Sequence, residues 1–210
     1  MFNSKWAIII VIIIAIVGGY SVYNTNSVKG WLHSSKTKRV KDPSATNHIG
    51  APLARNGKKV LIVYFSWGGN TRAIAQYMHE TIGGDIFEIT TVEKYPDSYD
   101  PCVDIAKKEL ENDARPELTG TSISLAPYDT VLIGYPIWWY RAPRAVLSFI
   151  ERYDFSGKDV ALFCTSGGDD IEETVDEIKN LKAMRGANFE RSLTANVWDG
   201  ILPWLRELGF

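Results

Sequence analysis

The residues of this chain with the plainest chemical use are Ser66-Trp67-Gly68-Gly69-Asn70-Thr71. They set two hydroxyls, two glycines and a side-chain amide just before residues 72–82, where Ile74, Tyr77, Met78 and Ile82 fall at helical spacing. A helix start offers unpaired backbone N–H groups and the positive end of the helix dipole, and small side chains let a phosphate approach the backbone. The stretch therefore reads as an anion site; the plainer alternative is an ordinary capped turn between strand and helix. Two familiar phosphate loops are absent: no lysine follows the glycines as in Gly-x-x-x-x-Gly-Lys-Ser/Thr, and there is no Gly-x-Gly-x-x-Gly.

Two further stretches have related character. Pro136-Ile137-Trp138-Trp139-Tyr140-Arg141-Ala142-Pro143 contains three consecutive aromatics that cannot all point inward, so at least one aromatic face is expected at the surface. Aromatic faces beside a pocket stack on flat ligands; the alternative is that they pack in the core and over the next helix. Thr165-Ser166-Gly167-Gly168-Asp169-Asp170 is small and polar. Its backbone N–H groups suit the edge of a ring, or it is simply a helix start capped by Asp169 or Asp170. A phosphate-sized loop, an aromatic loop and a small polar loop suit a ligand with a phosphate at one end and a flat ring system at the other.

Other chemistries are poorly served. Cys102 and Cys164 have neither metal spacing nor C-x-x-C spacing, and they read as free and buried rather than as a disulfide. His33, His48 and His79 are scattered, so no metal site is expected. No Gly-x-Ser-x-Gly elbow exists for a hydrolase. A receiver domain needs an aspartate where the third strand here ends in Gly134-Tyr135-Pro136.

The elements that must position these loops follow from pattern. Residues 60–65 form a continuous apolar run of strand length, as do 128–135 and 160–165, and such runs belong to strands buried on both faces of a parallel sheet. Weaker strands are expected at 86–90 and within 186–197. Helices are expected at 72–82, 103–110, 142–153 with Pro143 in the first turn, 169–184 and 199–208. Strands alternating with helices imply an α/β fold, a doubly wound parallel sheet with right-handed crossovers. The three loops then lie together beyond the carboxyl ends of the strands, where such sheets bind ligands.

Charge divides the chain. Residues 1–59 hold nine Lys/Arg and one acid, Asp42, leaving fourteen basic and twenty-four acidic residues in the remainder. The acidic part is a poor nucleic-acid binder and a fair surface for basic partner proteins. Residues 6–23 carry no charge and are dense in isoleucine, long enough for a marginal membrane span with Trp6, Tyr20 and Tyr23 at its edges; a cleaved signal peptide, ending near Val17-Gly18-Gly19, is the competing reading. Lys29, Lys36, Lys38, Arg39 and Lys41 after this segment favour a cytoplasmic domain, a signal-like start favours the opposite side, and the side stays open. The expected organisation is an anchor or signal segment at 1–23, a basic linker at 24–58 and one domain at 59–210, on the membrane or, if the segment is cleaved, secreted.

Taken in order, Y-P-D-S-Y, A-K-K-E-L-E-N-D-A-R-P-E-L, Y-D-T-V-L-I-G-Y-P-I-W-W, A-P-R-A-V, F-S-G-K and F-C-T-S-G-G resemble a bacterial branch of the flavodoxin-like family, over roughly residues 59–193. The resemblance implies a five-stranded sheet of order 2-1-3-4-5, bound FMN, and electron transfer or NAD(P)H-dependent reduction of quinone-like acceptors. It implies that Ser66, Gly69, Asn70 and Thr71 hold the FMN phosphate, with Trp67 standing where relatives more often have a small hydroxyl residue. Pro136, Ile137, Trp138, Trp139 and Tyr140 would flank the flavin ring, and Thr165, Ser166, Gly167 and Gly168 would meet its polar edge. Asp169 and Asp170 replace a Ser/Gly-rich continuation, and acids there would lower the potential of the second reduction step. Partners would be a redox protein or a small electron acceptor, with no general acid or base from the chain. The rival to this reading is a cofactor-free domain of the same fold acting as a tethered interaction module.

Overall fold

The computed structural model of the chain describes residues 57–120 and 123–210. The expected segment at 1–23 and nearly all of the linker at 24–58 lie outside the described residues. Among the described residues no helix is long and apolar enough to cross a membrane.

Four full strands make the sheet: β1 (Val60–Tyr64), β2 (Asp85–Glu88), β3 (Thr130–Pro136) and β4 (Asp159–Thr165). Two short strands, β5 (Asn188–Phe189) and β6 (Leu193–Thr194), both pair with β4. Every pairing is parallel and the order is β2-β1-β3-β4-β5. This is the expected 2-1-3-4-5 sheet with one change: the fifth position is shared by two strands, giving six. Neither piece is long enough to show an alternating pattern, so the break between them left no trace in the sequence.

The apolar runs are buried on both faces. Val60, Ile62, Tyr64, Leu132, Ala161 and Phe163 pack with Ile74, Ala75, Met78 and Ile82 of α1 (Asn70–Ile82) and with Ile201, Trp204 and Leu205 of α5 (Ile201–Glu207). On the other face lie α2 (Tyr99–Glu111), α3 (Arg144–Ile150) and α4 (Glu172–Lys179); Phe149 of α3 meets Phe87 of β2 at 5.7 Å, and Tyr135 of β3 shares a hydrogen bond with Thr174 of α4 at 2.7 Å. Gly134 is fixed by this packing, because a Cβ there would lie 2.1 Å from Cζ of the buried Phe163 ring.

Several expected bounds move. The helix expected at 142–153 begins only at Arg144, so Pro143 precedes the first turn rather than occupying it. Its end at Ile150 comes where Arg152 and Tyr153 donate to Phe149 and Ile150, three residues back, which tightens the chain into a turn. The helix expected at 169–184 is Glu172–Lys179 followed by a 3-10 turn at Lys182–Met184, because Leu181 between them is extended (φ −64°, ψ 138°).

Candidate functional site

The loops after β1, β3 and β4 are joined at their bases. Phe65 N–H donates to the Gly134 carbonyl at 2.9 Å, and Ile137 N–H to the Thr165 carbonyl at 3.0 Å. The Thr71 and Thr165 hydroxyls lie 2.9 Å apart and are both buried, so one donates to the other while the second keeps its hydrogen for another acceptor.

The first loop is shaped by its glycines. Gly69 precedes α1 in the left-handed region (φ 88°), and its N–H donates to Ser66 Oγ at 3.1 Å. The N–H groups of Trp67, Gly68, Asn70 and Thr71 have no acceptor among the described residues. Four unpaired donors beside the positive end of a thirteen-residue helix suit an anion. The Trp67 indole N–H donates to the Pro96 carbonyl at 2.8 Å, so only its backbone N–H remains for a ligand.

The second loop turns sharply. Trp138 N–H donates to the Arg141 carbonyl at 2.9 Å and Arg141 N–H to the Trp138 carbonyl at 3.0 Å, closing a two-residue turn. Its central residues Trp139 (φ 51°) and Tyr140 (φ 61°) are both left-handed, as in a type I′ turn. Trp138 is 8% exposed and meets Phe65 and Tyr95 edge-on at 5.3 and 5.1 Å. Trp139 donates its indole N–H to the Val103 carbonyl at 3.3 Å, with Lys107 Nζ 5.3 Å from its ring centroid. Tyr140, at 39% exposure, is the aromatic that reaches the surface. Of the three consecutive aromatics, Trp138 thus belongs to the packed wall of the site and Tyr140 to its rim.

In the third loop, three of the four N–H groups of residues 166–169 are already committed. Ser166 N–H donates to Asn196 Oδ1 at 2.8 Å, while the Gly168 and Asp169 N–H groups donate to Ser166 Oγ at 3.0 and 2.6 Å. Of residues 166–168, the Gly167 N–H is the one without an acceptor among the described residues. Asp170, not Asp169, caps the start of α4, accepting from Glu172 N–H at 3.2 Å and from the Thr194 hydroxyl at 3.2 Å. Burial raises the Asp169 carboxyl above the usual carboxylate range.

Tyr95, Pro96, Thr194 and Asn196 join the site without having been singled out as site residues. Tyr95 and Pro96 lie in the Y-P-D-S-Y stretch, whose aromatic pair was the available signal; Asn196 had none. Burial raises the Tyr95 phenol, helped by Glu109, whose carboxylate accepts its O–H at 2.7 Å. Burial also pushes the Cys102 and Cys164 thiols up to about 12, and both are free. Such thiols are poor nucleophiles at neutral pH. No cluster of metal-ligating side chains occurs among the described residues.

Residues 59–197 match the family described as Flavodoxin. The chain is 27% identical to flavodoxin 1 of Shigella flexneri and 28% identical to flavodoxin 1 of Escherichia coli strain K12, with 61% of this chain covered in each case. It spans 64% and 63% of the length of those relatives, a little under two thirds. Among solved structures, it is similar to a protein of Bacteroides eggerthii DSM 20697 assigned as a flavoprotein, at 30% identity and a TM-score of 0.62, covering 73% of this chain and 99% of that one. A flavoprotein of Lactobacillus acidophilus NCFM in complex with FMN shares the fold at 24% identity and a TM-score of 0.59, covering 70% of this chain and 99% of that one.

Proposed function

The chain belongs to the flavodoxin family, and from that premise we propose that it binds FMN and works as a redox protein. It is either an electron carrier or an NAD(P)H-dependent reductase of quinone-like acceptors. When bound, FMN supplies reversible electron transfer; the chain supplies binding, orientation and electrostatics.

The observation that supports this best is the set of unpaired N–H groups at Trp67, Gly68, Asn70 and Thr71. They fit the phosphate of FMN, with the Ser66 and Thr71 hydroxyls at the same loop. Pro136 to Tyr140 and Thr165 to Gly168 would hold the flavin ring, the Gly167 N–H being the donor that the third loop has not already spent. Arg141, Asp169 and Asp170 set the charge around that ring. A redox protein or small acceptor would approach over the exposed Tyr140 and Gly167. Tethering through residues 6–23 is part of the proposal and rests on the sequence alone.

The test is a visible absorption spectrum of the purified full chain before and after adding FMN, followed by titration with dithionite. A yellow, reducible one-to-one complex is expected. A colourless protein that ignores FMN would sink the redox reading and leave a tethered interaction domain on this scaffold.

A further inference from the structure

Trp67 belongs to the first loop, yet its side chain is tied to the segment after β2. The indole N–H donates to the Pro96 carbonyl at 2.8 Å, and the ring meets Tyr99 edge-on at 6.2 Å. The residue before Pro96 faces the second loop: the Tyr95 ring lies edge-on to Trp138 at 5.1 Å and to Phe65 at 5.6 Å, and its hydroxyl donates to Glu109. Residues 95–99 therefore form a brace with one end on the first loop and the other on the second. The first loop needs such a hold. A Cβ at Gly68 would meet nothing within 4 Å, so no packing restrains that residue, and two adjacent glycines carry more backbone freedom than any other pair. Within residues 66–69, three hydrogen bonds do the restraining: Ala73 N–H to the Gly69 carbonyl and Gly69 N–H to Ser66 Oγ, both within the loop and its own helix, and the Trp67 indole to Pro96, which ties the loop to another segment.

We propose that Trp67 is a positioning residue: through Pro96 it holds the unpaired N–H groups of Trp67, Gly68, Asn70 and Thr71 in place for an anion, and so makes the site prefer a flavin that carries a terminal phosphate over one that does not. This inference rests on the flavin-binding reading above. Trp67 touches the ligand through its backbone alone; its side chain acts through the brace.

The test compares FMN with riboflavin, which share ring and ribityl chain and differ in the phosphate. Binding of each to the full-length wild type and to Trp67→Phe is followed by quenching of flavin fluorescence. Phenylalanine keeps a ring against Tyr99 and removes the N–H. The FMN-to-riboflavin affinity ratio is expected to fall about fivefold, the worth of one net hydrogen bond, with riboflavin affinity within about twofold of wild type. An unchanged ratio overturns the inference, and so does an equal loss for both flavins, which would make Trp67 a general support of the fold. If flavin-free Trp67→Phe melts more than about 3 °C below wild type, replacing the indole by benzothiophene at position 67 removes the N–H alone, and the same ratio is read. A wild type that binds neither flavin overturns the flavin reading itself and this inference with it, whereas a wild type that binds FMN while the variant's ratio holds overturns this inference only.

Discussion

The loops after β1 and β3 leave neighbouring strands, with Tyr64 opposite Gly134, and each needs left-handed backbone. They obtain it in opposite ways. In the first loop the left-handed residue is Gly69, for which that conformation costs little. In the second loop it falls on Trp139 and Tyr140, where an L side chain costs about 1–2 kcal/mol per residue. The second loop is closed by its own paired Trp138 and Arg141 hydrogen bonds and held from outside by the Trp139 indole on Val103 and by Arg141 Nη1 donating to the Glu173 carbonyl at 3.1 Å. The difference suits the two loops to different tasks. A glycine loop presents its backbone to a ligand. On the proposed FMN-binding reading, a strained, anchored turn would present side chains in fixed places, and strain held there motivates that functional hypothesis.

The sharpest way to break this contrast is at the base the loops share. Thr71→Val leaves the buried Thr165 hydroxyl without its partner, so stability should fall by about 2 kcal/mol, read by urea unfolding, with weakened FMN binding. A loss below about 0.5 kcal/mol would mean that the hydroxyl pair does not hold the loops together. Next, Gly69→Ala should cost about 1 kcal/mol through backbone strain alone, because the added Cβ meets nothing nearer than Arg72 Nη1 at 4.0 Å. Tyr140→Gly should change stability in the other direction, by about 0.5 kcal/mol, since relief of the strained turn exceeds the entropy that glycine adds to the unfolded chain. Thermal midpoints of the two variants should therefore move in opposite directions. If Tyr140→Gly lowers the midpoint instead, the contacts of Tyr140 outweigh its strain, and the second loop is a packing element rather than a presenting one.

How much of this was legible in the sequence differs between the two loops for the same physical reason. Strands buried on both faces leave continuous apolar runs, so β1, β3 and β4, and hence the placement of all three loops, could be read from residues 60–65, 128–135 and 160–165. The first loop could be read too, because at Gly69 the sequence carries the residue that its left-handed backbone favours. The turn at Trp139-Tyr140 could not. Left-handed central residues are signalled by Asn or Gly, and here two aromatics take those positions under tertiary constraint. The burial of Trp138 and the donor spent by Trp67 were hidden likewise, since both depend on Tyr95 and Pro96, some thirty residues or more away in the chain. Asn196 follows a two-residue strand too short to carry a pattern, so its bond to Ser166 was invisible as well.

The smallest expected effect concerns what stands behind the second loop. Arg144, the first residue of α3, follows that loop and is buried; its guanidinium donates to Asp113 at 2.9 Å and also to Glu177. Asp113 accepts from Arg115 as well, and the hydrogen bond from Arg115, ahead of the nearby positive charges, holds its carboxyl below the usual carboxylate range. The sign follows from linkage: a carboxyl depressed in the folded state contributes stability above its unfolded value of about 4, and that contribution is lost as pH falls below 4 towards the folded value. Asp113 is largely exposed, so the amount is a few tenths, roughly 0.3 kcal/mol, and Asp113→Asn should flatten the acid limb of a stability profile by that much. Asparagine tolerates the left-handed backbone of position 113 (φ 44°), so the substitution changes the charge and not the turn. Hydrogen exchange adds the spatial readout: below about pH 4 the Arg141 amide, which closes the strained turn, should lose protection before the Gly69 amide, whose loop needs no such backing. Equal loss at both amides would mean that the two loops open together, and that the strain at Trp139 and Tyr140 is carried by the whole sheet rather than by the anchors around it.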